Sequence, residues 1–251
     1  MEHPAAGPLA ERPLGATIGL HILPGALTTA VYLVMAPPLM ARGFPAVFSL
    51  LLATLLVLIP FELGYLLYQA RGVKGTTPLE GVVVFREPLP AWQYLVWTIV
   101  LFAWGIVSSA LVSRLEAALR QGLFSWLPSW YATTSLAEFA SYSRPALVAT
   151  FVLGLVIVGF VGPIVEELYF RGHLLPRLAR FGRWAPLLNT VFFSGYHFWT
   201  PWQNPGRILL MVPVTYLVWR KRNIYLGMAA HCALNAIVWL VTFGAILRAY
   251  P

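Results

Sequence analysis

The sequence predicts an all-α polytopic membrane protein in which about seven helices cross the bilayer. Hydrophobic residues make up 59% of the 251 residues and charged residues only 10%, whereas soluble domains are on average about half apolar and a quarter charged. The chain also contains successive, mostly apolar runs of roughly 20 residues, the length that a helix needs to cross a bilayer. Ten Trp and eleven Tyr residues agree with this class, because such rings collect where bilayer meets water.

Apolar runs predict membrane spans near residues 17–36, 46–69, 92–112, 146–166, 185–200, 207–220 and 224–247. We expect the fifth and sixth, which are short, to be tilted or partly buried helices. Residues 121–145 are rich in Trp, Tyr and Ser and predict an interfacial loop, and a short helix there would raise the number of spans to eight. The chain shows no internal repeat, so we expect a single membrane domain over residues 1–251.

Charge and cysteine content exclude several classes of protein. The formal net charge is +8, but no Lys/Arg stripe or nucleic-acid-binding motif accompanies it, so we exclude nucleic acid as a partner. The N-terminus lacks the basic segment of a signal peptide, so we expect the first apolar segment to be retained. The single cysteine, Cys232, excludes an intrachain disulfide and a multi-cysteine metal site.

Basic residues predict the orientation of the chain, because cytoplasmic loops are enriched in Lys and Arg. The connections after spans two, four and six hold ten of the 17 Lys and Arg residues. They are Arg71, Lys74, Arg86, Arg171, Arg177, Arg180, Arg183, Arg220, Lys221 and Arg222. The others, Arg12 among them, are counted at the opposite end. This bias predicts that span four ends at the cytoplasmic face.

Three charged residues stand at the predicted end of span four, in the stretch EELYFR. A charged group costs about 2.5–3.5 kcal/mol at mid-membrane, so it persists there when it is paired or functional. Glu167 and Arg171 are spaced i, i+4 and can form an ion pair on one face of a helix. Glu166 is rotated by about 100° from Glu167 and lacks such a local partner, which leaves it free to face a cavity.

Two further predicted spans carry polar residues at a similar depth. In VFFSGYHFW, His197 follows Phe193 by one turn, and in MAAHCALNAIVW, His231 and Asn235 are spaced i, i+4 and point the same way. Taken singly, each of these residues could be a polar contact between helices. Glu166, His197, His231 and Asn235 together can activate water and stabilise an oxyanion, so we interpret them as one site.

Four other residues in apolar surroundings have simpler interpretations. We expect His21 to make a contact between helices, and Glu62 either to pair with a basic residue or to line the cavity. Gly172 suits the C-terminal cap of a helix, and Pro176 cannot continue a regular helix interior.

The order EELYFR, FSGYH and HCALN resembles the three signatures of the CPBP intramembrane endopeptidases, the CAAX prenyl protease 2-like (Abi) family. Those signatures are Glu-Glu-x-x-x-Arg, Phe-x-x-x-His and His-x-x-x-Asn. The resemblance covers about residues 146–240, while residues 1–145 are less characteristic. It implies helices that enclose a catalytic cavity open to the cytosol. It also implies hydrolysis of a peptide bond near the C-terminus of a lipidated or hydrophobic protein or peptide.

Carried over to this sequence, the resemblance implies that Glu166 is the general base on water, helped by His197. His231 and Asn235 would stabilise the oxyanion, and Glu167 with Arg171 would support the site or simply neutralise each other. We expect no cofactor. The alternative is a zinc ion held by Glu166, His197 and His231, against which stand the poor affinity of Asn235 for zinc and the lack of a His-Glu-x-x-His motif.

Other functions remain open at this point. Buried Glu and His residues also mark transporters and proton relays, and a non-catalytic immunity or scaffold protein could keep the same fold. We expect a multi-pass protein of the bacterial inner membrane whose site faces the cytoplasm. Its partners would be membrane lipid and the hydrophobic or lipidated substrate.

Overall fold

A computed structural model of the chain describes residues 13–71, 73, 79–131 and 139–250. Within these ranges the structure contains no β-strand, only an isolated bridge between Arg86 and Asn223. The long helices are α1 (Leu14–Met40), α2 (Ala46–Ala70), α3 (Ala91–Gln121), α4 (144–174), α5 (Ala185–Gly195), α6 (Asn204–Lys221) and α7 (Ile224–Ala249). The predicted all-α class is therefore confirmed.

Five segments are long and apolar enough to cross a membrane: α1, α2, α3, the stretch Arg144–Gly195 and α7. That stretch contains α4, a 3₁₀ segment (Leu175–Trp184) and α5, and it is broken at Gly182, where φ is 53°. Helix α5 has 11 residues and is only about 16 Å long, roughly half of a bilayer's hydrocarbon core. The predicted fifth span therefore ends inside the protein, and a count of seven complete spans is not established.

Helix α4 continues beyond the predicted end of span four at residue 166. It runs to Leu174 through two π-helical segments, Ile157–Val161 and Glu167–Leu174. The charged motif does not end the helix, because Glu167 and Arg171 are fully buried and face each other. Gly172 is not a helix cap either. Its carbonyl accepts a hydrogen bond from Val84 N at 2.9 Å, and a Cβ at Gly172 would lie 2.5 Å from a Val83 methyl carbon.

The three basic connections meet at one end of the bundle, which we call the basic end. Val84 N donates to Gly172 O, and Ile224 N donates to Phe85 O at 2.8 Å, so the connections after α2, α4 and α6 touch. Helix α1 begins at this end too, because Tyr169, late in α4, donates its hydroxyl hydrogen to Leu20 O. Arg12, which the sequence counts with the opposite end, lies outside the described residues.

The opposite end carries the interfacial loop that the sequence predicts. Residues 122–131 form turns, and Tyr131 packs against Tyr32 and Trp202 and donates to Phe198 O at 2.8 Å. The alternative of an extra helix falls partly on residues 132–138, which lie outside the described residues. The outer face of α3 is apolar, as expected of a surface in contact with lipid, and exposes Leu95, Ile99, Ile106 and Leu111.

Candidate active site

The four side chains predicted to form a site line one cavity. Its volume is about 340 Å³, and its walls include Glu166 of α4, His197 after α5, and His231 and Asn235 of α7. The four residues thus lie together around one cavity, as helical spacing predicts. Whether they catalyse a reaction stays a prediction.

Glu166 occupies the centre of this arrangement. Its side chain is buried, and its Oε1 accepts a hydrogen bond of 2.5 Å from the hydroxyl of Tyr196. Its Oε2 lies 3.7 Å from His231 Nε2. The carboxylate thus bridges the end of α5 and the middle of α7, and it borders the cavity instead of bulk solvent.

His231 is oriented by the second glutamate of the motif. Its Nδ1 lies 3.1 Å from Glu167 Oε1, and an ionised carboxylate only accepts, so Nδ1 carries the hydrogen. The other ring nitrogen, Nε2, is then directed at Glu166 and the cavity. This nitrogen accepts when the imidazole is neutral and donates when it is protonated.

The predicted ion pair between Glu167 and Arg171 is confirmed, at 3.3 Å with both side chains fully buried. Arg171 also donates to Thr215 Oγ1 at 3.4 Å, and its guanidinium lies 4.0 Å from the centre of the Phe193 ring. Because Glu167 contacts His231 as well, the pair orients a cavity residue in addition to neutralising its own charges. Removing one partner of such a buried pair typically costs about 3–5 kcal/mol.

His197 and Asn235 are each anchored by one polar atom. His197 Nδ1 donates to Phe193 O at 2.8 Å, so Nε2 remains as an acceptor. Asn235 Nδ2 donates to Val158 O at 3.1 Å. That carbonyl belongs to the first π segment of α4, and the second hydrogen of the amide stays uncommitted. Within the described part of the chain, Glu166 is hydrogen-bonded to Tyr196 and not to His197.

Sequence reasoning missed two residues: Tyr196, which contacts Glu166 from behind the cavity wall, and Arg207. Tyr196 lies inside the FSGYH stretch but carries no spacing signal, because the chain has left the regular helix by that point. Arg207, in the first turn of α6, also lines the cavity. The sequence identified it only as a basic residue at the end opposite the basic loops.

The cavity extends from Glu166 away from the basic end. Its other walls include Val47, Leu50 and Thr54 in the first half of α2, and Thr200 and Gln203 before α6. Towards the basic end, fully buried residues such as Tyr169, Phe170 and Arg171 close the space. The lining residues thus place the cavity on the side of Glu166 away from the basic end, and its opening to the cytosol stays a prediction.

The predictions for His21 and Glu62, the two other polar residues in apolar surroundings, have different outcomes. His21 is the predicted contact between helices: its Nε2 accepts from Asn189 Nδ2 at 3.1 Å, and its Nδ1 donates to Thr17 O. Glu62 fulfils neither alternative. It is fully buried, it is not among the residues that line the cavity, and the described part of the chain provides no ion pair or hydrogen bond for its carboxyl oxygens.

The alternative zinc set, Glu166, His197 and His231, fits only in part. Both histidines anchor Nδ1 and leave Nε2 for another partner, as zinc-bound histidines do. Across the described ranges, however, no group of three or more His, Cys, Asp or Glu residues is close enough to hold a metal ion. The side chains as placed do not form a zinc site, so we route no chemical step through zinc.

A family model for type II CAAX prenyl endopeptidases, described as Rce1-like, matches residues 147–237. The chain carries an Rce1-like domain. The match agrees with the resemblance seen in the sequence over residues 146–240, and all four cavity residues lie within it. The five apolar segments make this a multi-pass membrane protein, and residues 147–237 are similar to proteases of the CAAX endopeptidase kind. Searches of curated proteins and of solved structures give no match.

Proposed function

We propose that the protein is an intramembrane endopeptidase that hydrolyses a peptide bond near the C-terminus of a hydrophobic or lipidated substrate. One observation carries the proposal: the buried carboxylate of Glu166 lies between Tyr196 and His231 on the wall of a cavity, and all three residues belong to the Rce1-like domain. A buried acid that borders a space large enough for water and substrate is suited to general-base catalysis.

In this mechanism a water molecule in the cavity donates hydrogen bonds to Glu166 and to Nε2 of His197. Glu166 takes one proton of the water while the oxygen attacks the scissile carbonyl carbon. The carbonyl oxygen becomes an oxyanion, which receives hydrogen bonds from the uncommitted amide hydrogen of Asn235 and from protonated Nε2 of His231. When the C–N bond breaks, Glu166 returns the proton to the leaving nitrogen, which departs as an amine.

The decisive test is Glu166→Gln, which keeps the shape of the side chain and removes the base. Purified protein in liposomes is given a quenched-fluorescent peptide that ends in S-farnesyl cysteine and three further residues, and the same peptide without the lipid. Relative to the wild-type protein, we expect kcat/KM of Glu166→Gln for the farnesylated peptide to be lower by about 10²–10⁴-fold, the usual contribution of a general base.

Glu62→Gln is the matched control, because Glu62 is also a buried intramembrane carboxylate but does not line the cavity. This variant should keep most of the activity. Undiminished cleavage by Glu166→Gln would rule out the proposed mechanism, and equal losses in both variants would show a general effect of removing buried charge.

The zinc alternative has its own test. Protein purified without chelators is analysed for bound metal and then treated with 1,10-phenanthroline. We expect less than stoichiometric zinc and unchanged cleavage, because the described side chains do not assemble a set of three ligands. Stoichiometric zinc, with activity lost on chelation and regained on adding zinc, would replace the glutamate mechanism with a metal-dependent one.

A further inference from the structure

Arg207 is a second charged group on the wall of the cavity that contains Glu166. It also lines a neighbouring space of about 570 Å³ that reaches the α3 side of the protein. That second space is bordered by Ile106 and Val238, which are exposed on the outer apolar surface. Arg207 therefore lies between the cavity of Glu166 and a second space that is bordered by residues of the outer apolar surface.

Among the described residues, the hydrogen-bond partners of Arg207 are neutral side chains. Nη1 donates to Asn204 Oδ1 at 2.8 Å, and Nη2 donates to Thr200 Oγ1 at 2.8 Å and to Gln203 Oε1 at 3.5 Å. These bonds hold the guanidinium in place and leave further N–H donors unused. Its orientation is thus fixed by hydrogen bonds to neutral groups and without an ion pair.

Two other arginines of the chain are paired with carboxylates. Arg171 and Arg222 each have a carboxylate within ion-pair distance, whereas none of the described residues provides one for Arg207. Glu116 and Glu166 interact with Arg207 only at longer range. A cation within an apolar bundle is costly unless an anion accompanies it. The missing anion can therefore arrive with the ligand of the cavity.

We propose that Arg207 binds the free C-terminal carboxylate of the substrate. This inference rests on the proposed function and specifies its substrate: a chain end, not an internal loop. Arg207 and Glu166 line the same cavity, and an extended peptide advances about 3.4 Å per residue. A carboxylate held at Arg207 thus places a bond a few residues from the chain end beside Glu166. Guanidinium and carboxylate groups pair through parallel hydrogen bonds, which also gives directional selection.

The test compares two substrates that differ in one group. The farnesylated peptide is made with a free C-terminal carboxylate and with a C-terminal carboxamide. For the wild-type protein we expect amidation to lower kcat/KM by about 10- to 100-fold, the range of one or two charge-assisted hydrogen bonds. For Arg207→Gln we expect the two peptides to be cleaved at similar rates, close to the wild-type rate on the amide.

Two further variants separate charge recognition from folding. Arg207→Lys retains the positive charge and should keep a reduced preference for the carboxylate. Arg144→Gln removes an arginine outside the cavity, which donates to Leu247 O and Tyr250 O at the end of α7. This variant should keep the full preference for the carboxylate. If Arg207→Gln does not fold, the wild-type ratio and the reduced ratio of Arg207→Lys decide the question.

The possible failures are distinguishable. If the wild-type protein cleaves neither peptide, the proposed function fails. If it cleaves both equally, or if the preference for the carboxylate survives unchanged in Arg207→Lys or Arg207→Gln, the role of Arg207 is overturned and the endopeptidase function stands.

Discussion

Tyr196 makes the shortest polar contact of the candidate catalytic carboxylate, at 2.5 Å. Hydrogen bonds to charged groups contribute about 1.5–3 kcal/mol, so this one helps to fix the direction in which Glu166 points. We expect Tyr196→Phe to lower kcat by about tenfold with little change in KM, because Tyr196 acts on Glu166 and not on the substrate. Steady-state kinetics with the farnesylated peptide measures both quantities.

Tyr131→Phe is the matched control for Tyr196→Phe. Tyr131 is also buried and donates to the backbone near the site, at Phe198 O, and burial raises the pKa of its hydroxyl to about 12. Its loss should cost some thermal stability and leave kcat unchanged. Equal effects of the two substitutions on kcat would contradict a specific role for Tyr196.

The positions of the site residues could be predicted from the sequence where helical spacing determines them. The i, i+4 rule fixed the Glu167–Arg171 pair and put His231 and Asn235 on one face, because those stretches are helical. Tyr196 and Arg207 escaped the same reasoning. The turn after α5 brings Tyr196 against Glu166, and the side chains of Thr200 and Asn204 hold Arg207 at the cavity. No periodicity in the sequence encodes either geometry.

The π segments of α4 lie in the part of the helix where the predicted end, at residue 166, was wrong. Both lie close to Glu166, and π turns often mark functional sites. The first presents Val158 O to Asn235, and the second contains the buried charged motif. Hydropathy placed the end of the helix at the charges because it scores each residue singly and cannot detect that Glu167 and Arg171 pair.

Helix α1 supports the site by a close approach that sequence patterns did not reveal. A Cβ at Gly25 would overlap the backbone carbonyl of Tyr196, so Gly25→Ala must displace the turn that carries Tyr196 and His197. We expect it to lower kcat/KM by at least about tenfold and to lower the midpoint of thermal unfolding. The value of kcat/KM is measured on the protein reconstituted in liposomes, and the midpoint of thermal unfolding on the detergent-solubilised protein.

Gly19→Ala, on the same helix, has nothing within 4 Å of the added methyl group and serves as the control. It should leave cleavage unchanged and stability equal or slightly higher, since alanine favours the helix. Full activity of Gly25→Ala would show that α1 does not position the site. Helix α1 would then serve only to complete the bundle.

For the whole molecule, orientation in the membrane decides how a substrate reaches Glu166. Glu166 lies eight residues before Leu174, where α4 ends, and so about 12 Å from the basic end at the rise of a regular helix. The cavity nevertheless extends towards the opposite end. If the basic end is cytoplasmic, a cytoplasmic chain end must therefore come in from the side, where the second space opens between α3 and α7.

The basic residues of the three connections predict that this end faces the cytoplasm. The test starts from Cys232→Ala, which removes the chain's single cysteine, and adds Trp184→Cys at the basic end or Ser125→Cys at the opposite end, both at exposed positions. A membrane-impermeant maleimide should label Ser125→Cys in intact spheroplasts and Trp184→Cys only after permeabilisation. The reverse pattern would overturn the charge-based orientation and point the cavity of Glu166 towards the cytoplasm, so that substrates need no passage through lipid.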